Sequence, residues 1–102
     1  MTERVSVDDI DALASRRQDI LRVARAHGAR NVRVFGSVAR GRAGAASDVD
    51  LLVELEPGRS LLDLVAIKQD LEALLGRRVD VLTEGALSPY LRDEVLRDAM
   101  PL

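Results

Sequence analysis

Three aspartates stand where that residue type is least at home. Asp48, Asp50 and Asp80 begin or interrupt runs that otherwise read as strands, DVDLLVE from residue 48 and RVDVLT from residue 78, and aspartate is depleted from strands. Successive strand side chains point to opposite faces. Asp48 and Asp50 therefore share one face, their Cα atoms about 6.6 Å apart, while Val49, Leu51 and Val53 turn to the other, toward a core. Two carboxylates so placed repel each other unless water solvates them or a cation sits between them. Asp80 can join them from a neighbouring strand. Three carboxylates without imidazole or thiolate select a hard, oxygen-loving ion, most simply Mg²⁺ or Mn²⁺. Taken singly, Asp48 reads as a strand cap and Asp50 as a solvated strand residue; what precedes the pair favours the ion.

That preceding segment is Gly36-Ser37, at the end of the alternating run NVRVF. A glycine there lets the backbone approach a ligand closely, and a helical turn from Val38 would aim N–H groups at an anion. Ser37 adds a hydroxyl, and Arg40 and Arg42 add positive charge. An ordinary hairpin loop runs about 2–5 residues, whereas ten residues separate Ser37 from Asp48. A phosphate cradle at one strand end beside a carboxylate pair on the next strand describes a nucleoside triphosphate site.

The elements that must position these groups follow from spacing. Ser6 to Asp9 reads as a capped helix start, with Ile10, Leu13, Arg17, Ile20, Leu21 and Ala24 at helical spacing and Gly28 as the stop. Strands follow over 31–35 and 48–54, with the Gly, Ala and Ser-rich segment 36–47 between them as a loop holding at most a helical turn. Pro57-Gly58 marks a turn. Ser60 and Asp63 repeat the capping pattern before a helix whose stripe is Leu61, Leu64, Val65, Leu71, Leu74 and Leu75, ending at Gly76. A third strand spans 78–83. Ser88-Pro89 opens a last helix with Leu91, Val95, Leu96 and Ala99 as its buried stripe and Pro101 as its end. The first two strands should be antiparallel, and the long helix before the third permits a parallel crossover. The expected fold class is α/β (α+β), a small mixed β-sheet flanked by helices, with residues 1–102 as one domain.

Composition narrows the function classes. The chain has 102 residues, 47% of them hydrophobic, with no cysteine, no tryptophan, one Tyr, one Phe and one His. A disulfide framework, a thiolate zinc site and a thiol nucleophile are excluded. With two aromatic residues there is no base-stacking platform for single-stranded nucleic acid. No apolar run nears the ~20 residues a membrane span needs, and the charged start MTERVSVDDID lacks a secretory core, so the expectation is a cytoplasmic protein. A net charge of −2 hides an asymmetry: eight arginines against Asp19 between residues 16 and 42, then seven acids against Arg59 and Lys68 between 43 and 75. Basic then acidic suits phosphates held beside a divalent metal. For Arg16, Arg17, Arg22 and Arg25 a solvated helix face is the favoured reading. His27 reads as a helix-end residue, Phe35 as core, and Tyr90 as a packing or partner contact.

Gly36-Ser37, ten residues, then Asp48-Val49-Asp50 resembles the GS-x10-DxD signature of the DNA polymerase beta nucleotidyltransferase superfamily, and GSVARGRAGAASDVDLLVEL is similar to its minimal nucleotidyltransferase branch. The resemblance implies that core fold, with Asp48, Asp50 and Asp80 as catalytic metal ligands. It implies Gly36 and Ser37 as holders of the β- and γ-phosphates, and Arg40 where the superfamily often has a phosphate-contacting arginine. It further implies a Mg²⁺-dependent protein adenylyltransferase, with two ions and with Mn²⁺ as a substitute, that uses ATP. Members of that branch are commonly antitoxins of HEPN ribonuclease toxins. The expected role is thus the antitoxin of a type VII-like pair, transferring AMP to a tyrosine of the toxin. A non-catalytic antitoxin that neutralises by occlusion is the alternative; an intact set of carboxylates speaks against it. Direct nucleic-acid binding through the arginine-rich third has the pI of about 5.3 and the missing aromatics against it.

Overall fold

A computed structural model describes residues 13, 15–39 and 48–102. Along the chain come α1 (Arg17–Ala26), β1 (Ala29–Phe35), α2 (Gly36–Ala39), β2 (Val49–Leu55), α3 (Leu61–Leu75), β3 (Val79–Leu82), a 3₁₀ turn (Glu84–Ala86), α4 (Pro89–Asp98) and β4 (Met100–Pro101). The strands form one sheet in the order β3-β2-β1-β4. β1 runs antiparallel to β2 and to β4, and β2 runs parallel to β3, the mixed sheet expected. The helix start proposed at Ser6 lies outside the described residues. No described helix is long and apolar enough to cross a membrane.

One face of the sheet makes the core. Val34, Val49, Leu51, Val53, Val79 and Val81 pack there against Leu13, Ile20 and Ala24 from the first helical segment and Leu64, Ile67, Leu71 and Leu75 from α3. Burying each of the Val, Leu and Ile side chains contributes roughly 1.5–3 kcal/mol, so this layer carries most of the stability. α3 starts where its capping box forms: Ser60 Oγ accepts the Leu62 N–H at 3.2 Å and Asp63 Oδ2 accepts the Ser60 N–H at 3.0 Å. It stops at Gly76, which takes a φ of +70° at no steric cost. The stripe within α3 differs from expectation. Leu61 and Val65 are exposed, and Ile67 is buried instead. Val65 follows the buried Leu64 by one residue, about 100° around the helix, which turns it off the core.

The strand pairing carries a bulge. Arg30 pairs with Glu54 but Arg33 pairs with Leu52, so β1 holds one extra residue between them. Asn31 takes a φ of +52° there and donates its Nδ2 to Glu54 Oε2 at 2.8 Å. Asparagine tolerates that left-handed conformation better than other non-glycine residues.

Two further expectations are corrected at the chain's end. Leu91, Val95, Leu96 and Ala99 form no buried stripe: α4 has no buried residue, and Leu91 is 53% exposed. This helix lies over the sheet face that carries the aspartates, which offers it little apolar surface. Pro101 does not simply close α4; Met100–Pro101 continues into β4 beside Arg33 and Val34. Proline is tolerated at such an edge, where no outward N–H is needed.

Candidate active site

The sheet register gathers the aspartates as alternation dictates. Phe35 pairs with Asp50 across β1 and β2, and Asp50 pairs with Asp80 across β2 and β3. Paired residues share a face, so Asp50 and Asp80 stand side by side opposite the valine core. Asp48 precedes β2 by one residue and is half-buried. Its Oδ1 lies 3.6 Å from Arg78 Nε, while the Val49 N–H donates to the Arg78 carbonyl at 2.9 Å. Asp80 Oδ1 lies 3.8 Å from Lys68 Nζ. Asp48 and Asp80 thus each face a cation of the protein itself.

Gly36 sits at the hinge from β1 into α2 with a φ of +78°. A Cβ there would run into Asp50 Oδ2. The glycine is therefore required twice, by its left-handed backbone and by the carboxylate pressed against it. Ser37 follows in α2, and its side chain lies outside what the structure describes, as does the whole of Arg40.

Beside this hinge opens a cleft of about 240 Å³, lined by Phe35, Gly36 and Asp50 from the sheet and by Leu91, Glu94, Val95 and Asp98 from α4. Glu94 and Asp98 were not singled out from the sequence. Their i, i+4 spacing beside Leu91 and Val95 was the available signal, and it is also that of a solvated helix face. α4 is tied to the sheet by Glu84, whose Oε2 accepts from Arg33 Nη2 at 2.9 Å and whose Oε1 lies 3.7 Å from Arg92 Nη2. A larger cleft, about 380 Å³, lies at the opposite end of β1 among Arg17, Arg25, Arg30 and Leu102. Among the described residues it holds no carboxylate side chain, and it belongs to the basic surface read from the sequence.

Lys68 and Glu72 were also missed as a site feature. Lys68 Nζ donates to Glu72 Oε2 at 2.8 Å and to the Val79 carbonyl at 2.7 Å, and Glu72 Oε2 accepts the Val79 N–H at 3.0 Å. The hydrogen bond from Lys68, then that from the Val79 N–H, hold the Glu72 carboxyl below its ordinary value, against a smaller opposing effect of burial.

The donor chemistry suits a hard cation: Asp50 and Asp80 offer carboxylate oxygens on one sheet face, and Asp48 offers another, two residues before Asp50. Among the described residues no three acidic or imidazole side chains are gathered tightly enough to hold an ion. Asp48 faces Arg78 and Asp80 faces Lys68. Fit here rests on donor type and shared face.

Comparison with known proteins agrees with the fold and identifies the family. Residues 18–100 match the family described as the nucleotidyltransferase domain. A Methanocaldococcus jannaschii protein named as a protein adenylyltransferase is 43% identical over 84 residues, covering 82% of this chain and 90% of that protein. Protein adenylyltransferase MntA of Thermococcus cleftensis is 36% identical over 96 residues, 94% of this chain and 95% of its own. A solved structure described as a minimal nucleotidyltransferase superposes with a TM-score of 0.81 at 54% identity, covering 92% and 96% of the two chains. A crystal structure of a toxin-antitoxin with AMP-PNP shares the fold, with a TM-score of 0.71 at 21% identity over 82% of this chain and 69% of that one.

Proposed function

This chain belongs to the nucleotidyltransferase domain family, and from that premise we propose that it transfers AMP from ATP to a tyrosine hydroxyl of a HEPN ribonuclease toxin, silencing it as its antitoxin in the cytoplasm. The observation that carries the reading is the register that sets Asp50 between Phe35 and Asp80, with Gly36 pressed on its carboxylate. A phosphate-holding turn and a carboxylate pair then meet at one end of the sheet. Two relatives aligned over 82% and 94% of this chain are named protein adenylyltransferases, which favours a protein acceptor. The shared fold with a toxin-antitoxin structure containing AMP-PNP is consistent with both the nucleotide and the partner.

In this reading Gly36 and Ser37 hold the β- and γ-phosphates and Arg40 offsets charge on the leaving pyrophosphate. Asp48, Asp50 and Asp80 would hold Mg²⁺, Asp48 and Asp50 on the triphosphate side and Asp80 on the acceptor side. Bound there, the metal would neutralise triphosphate charge and lower the pKa of the acceptor hydroxyl. The acceptor enters through the cleft between Asp50 and α4. Its oxygen attacks the α-phosphorus, the bond to pyrophosphate breaks, and Asp80 is placed to take the hydroxyl proton. The small cleft cannot enclose a second substrate, so the partner must present the hydroxyl.

Intact mass spectrometry tests this. The partner of this reading, a HEPN ribonuclease toxin, is incubated with the chain, ATP and Mg²⁺, in parallel with the Asp48→Asn/Asp50→Asn variant. The expected result is adenylyl mass on the toxin with the wild type alone. A toxin of unchanged mass, neutralised equally by both proteins, would replace the catalytic reading with occlusion.

A further inference from the structure

β3 is an edge strand among the described residues, and its open side is met by side chains at Val79. The Arg78 carbonyl points toward β2, where the Val49 N–H meets it. Strand alternation therefore turns the N–H and C=O of Val79 outward, where an unpaired edge would stand. Glu72 takes that N–H and Lys68 takes that C=O, at 3.0 and 2.7 Å. The i, i+4 pair on α3 substitutes for a neighbouring strand at one residue.

Lys68 is the chain's one lysine among 15 basic residues. Its ammonium has three donors, and three oxygens surround it: Glu72 Oε2 at 2.8 Å, the Val79 carbonyl at 2.7 Å and Asp80 Oδ1 at 3.8 Å. The first two belong to a capped helix and a strand, so they fix the cation before Asp80 meets it. A compact ammonium can face three oxygens at once, whereas a planar guanidinium favours a two-oxygen fork. An exposed ion pair alone would contribute little. Here the entropy of holding the long side chain is already spent on Val79.

We infer that Lys68, held by Glu72 against the edge of β3, is a positioning residue that sets the placement of the Asp80 carboxylate beside Asp50. This rests on the transfer reading above, in which Asp80 serves the acceptor. Gly36 and Ser37 serve the triphosphate from another strand end, so Lys68 should govern turnover and leave triphosphate binding alone. Supporting groups of this kind typically cost roughly 10- to 100-fold when removed.

The test uses the whole chain as wild type, Lys68→Met and Lys68→Arg. Two quantities are measured: the Asp80 carboxyl ¹³C resonance, and kcat and KM for ATP in adenylyl transfer. With Lys68→Met the Asp80 resonance moves while that of Asp50 stays. In the same variant kcat falls roughly 10-fold or more with KM for ATP unchanged. Lys68→Arg, which keeps the charge, recovers part of the loss and shows the fold intact. An Asp80 resonance that does not move, an unchanged kcat, or an equal change in kcat and KM overturns the proposal. A wild type that transfers nothing defeats the function proposed above, and the resonance then decides the positioning claim by itself.

Discussion

The two faces of the sheet are built for opposite purposes. On one, Val34, Val49, Leu51 and Val79 are sealed under Ile67 and Leu71, all with no more than 1% of their surface exposed. On the other, the same strands present Asp50 and Asp80, and α4, a helix with no buried residue, borders the cleft beside Asp50. Strand alternation makes this division possible: each residue spent on the core places its neighbour on the open face. Stability and chemistry thus come from alternate positions of the same segments. Leu52 and Phe35 are the exceptions, buried on the aspartate face, where they keep part of it dry without making it a second core.

The sharpest way to break the comparison is to remove one apolar side chain from each side. Ile67→Ala empties a site with no exposed surface and should cost about 2–5 kcal/mol. Leu91→Ala trims a side chain that is 53% exposed and should stay within about 0.5 kcal/mol. Urea unfolding of both variants measures the contrast. Equal losses would mean that α4 belongs to the core after all.

Gly36→Ala works at the boundary between the two purposes. The left-handed φ of +78° penalises any Cβ, by about 1–2 kcal/mol. The nearest atom to that Cβ is the far end of the Asp50 side chain, which can swing aside without unfolding anything. Folding should therefore survive with a loss of that size, while adenylyl transfer falls by a much larger factor because Asp50 has moved. Thermal melts alongside transfer rates give the comparison. A variant that melts early yet transfers at the wild-type rate would detach Asp50 from the chemistry.

The aspartate side was more legible in sequence than the helices that border it. Asp48, Asp50 and Asp80 break the composition of their strands, and Gly36 marks a backbone position no other residue takes easily. Signals of that kind are local, and the antiparallel and parallel pairings followed from the lengths of the connections. The stripe of α3 was read correctly at Leu64, Leu71, Leu74 and Leu75 and wrongly at Leu61 and Val65, because Leu61, Leu62, Leu64 and Val65 crowd the helix start and periodicity cannot choose among adjacent apolar residues. The stripe of α4 was read as buried because Leu91, Val95 and Leu96 have the right spacing; whether a face exists to receive them depends on the sheet. β4 and the cleft residues Glu94 and Asp98 are long-range products of the fold. Lys68 and Glu72 looked like any helical ion pair until β3 arrived beside them.

The smallest expected effect concerns that same pair, and its sign is set by acid. Glu72 has its carboxyl held below the ordinary value by Lys68 and by the Val79 N–H. A carboxylate depressed in the folded state contributes stability above its unfolded pKa, about 4.3 for glutamate, and loses it as pH falls through the folded value. Glu72→Gln keeps an oxygen that can accept from both partners and removes only the charge. It should be modestly less stable than the wild type at pH 7. The difference should shrink below about pH 4.3 as the wild type also loses its charge. Urea midpoints at pH 7, near the unfolded pKa and well below it would show the convergence. A gap between the two proteins that stays constant across that range would mean that the edge of β3 is held by hydrogen-bond geometry alone, and that the charge of Glu72 adds nothing to how firmly Lys68 is anchored.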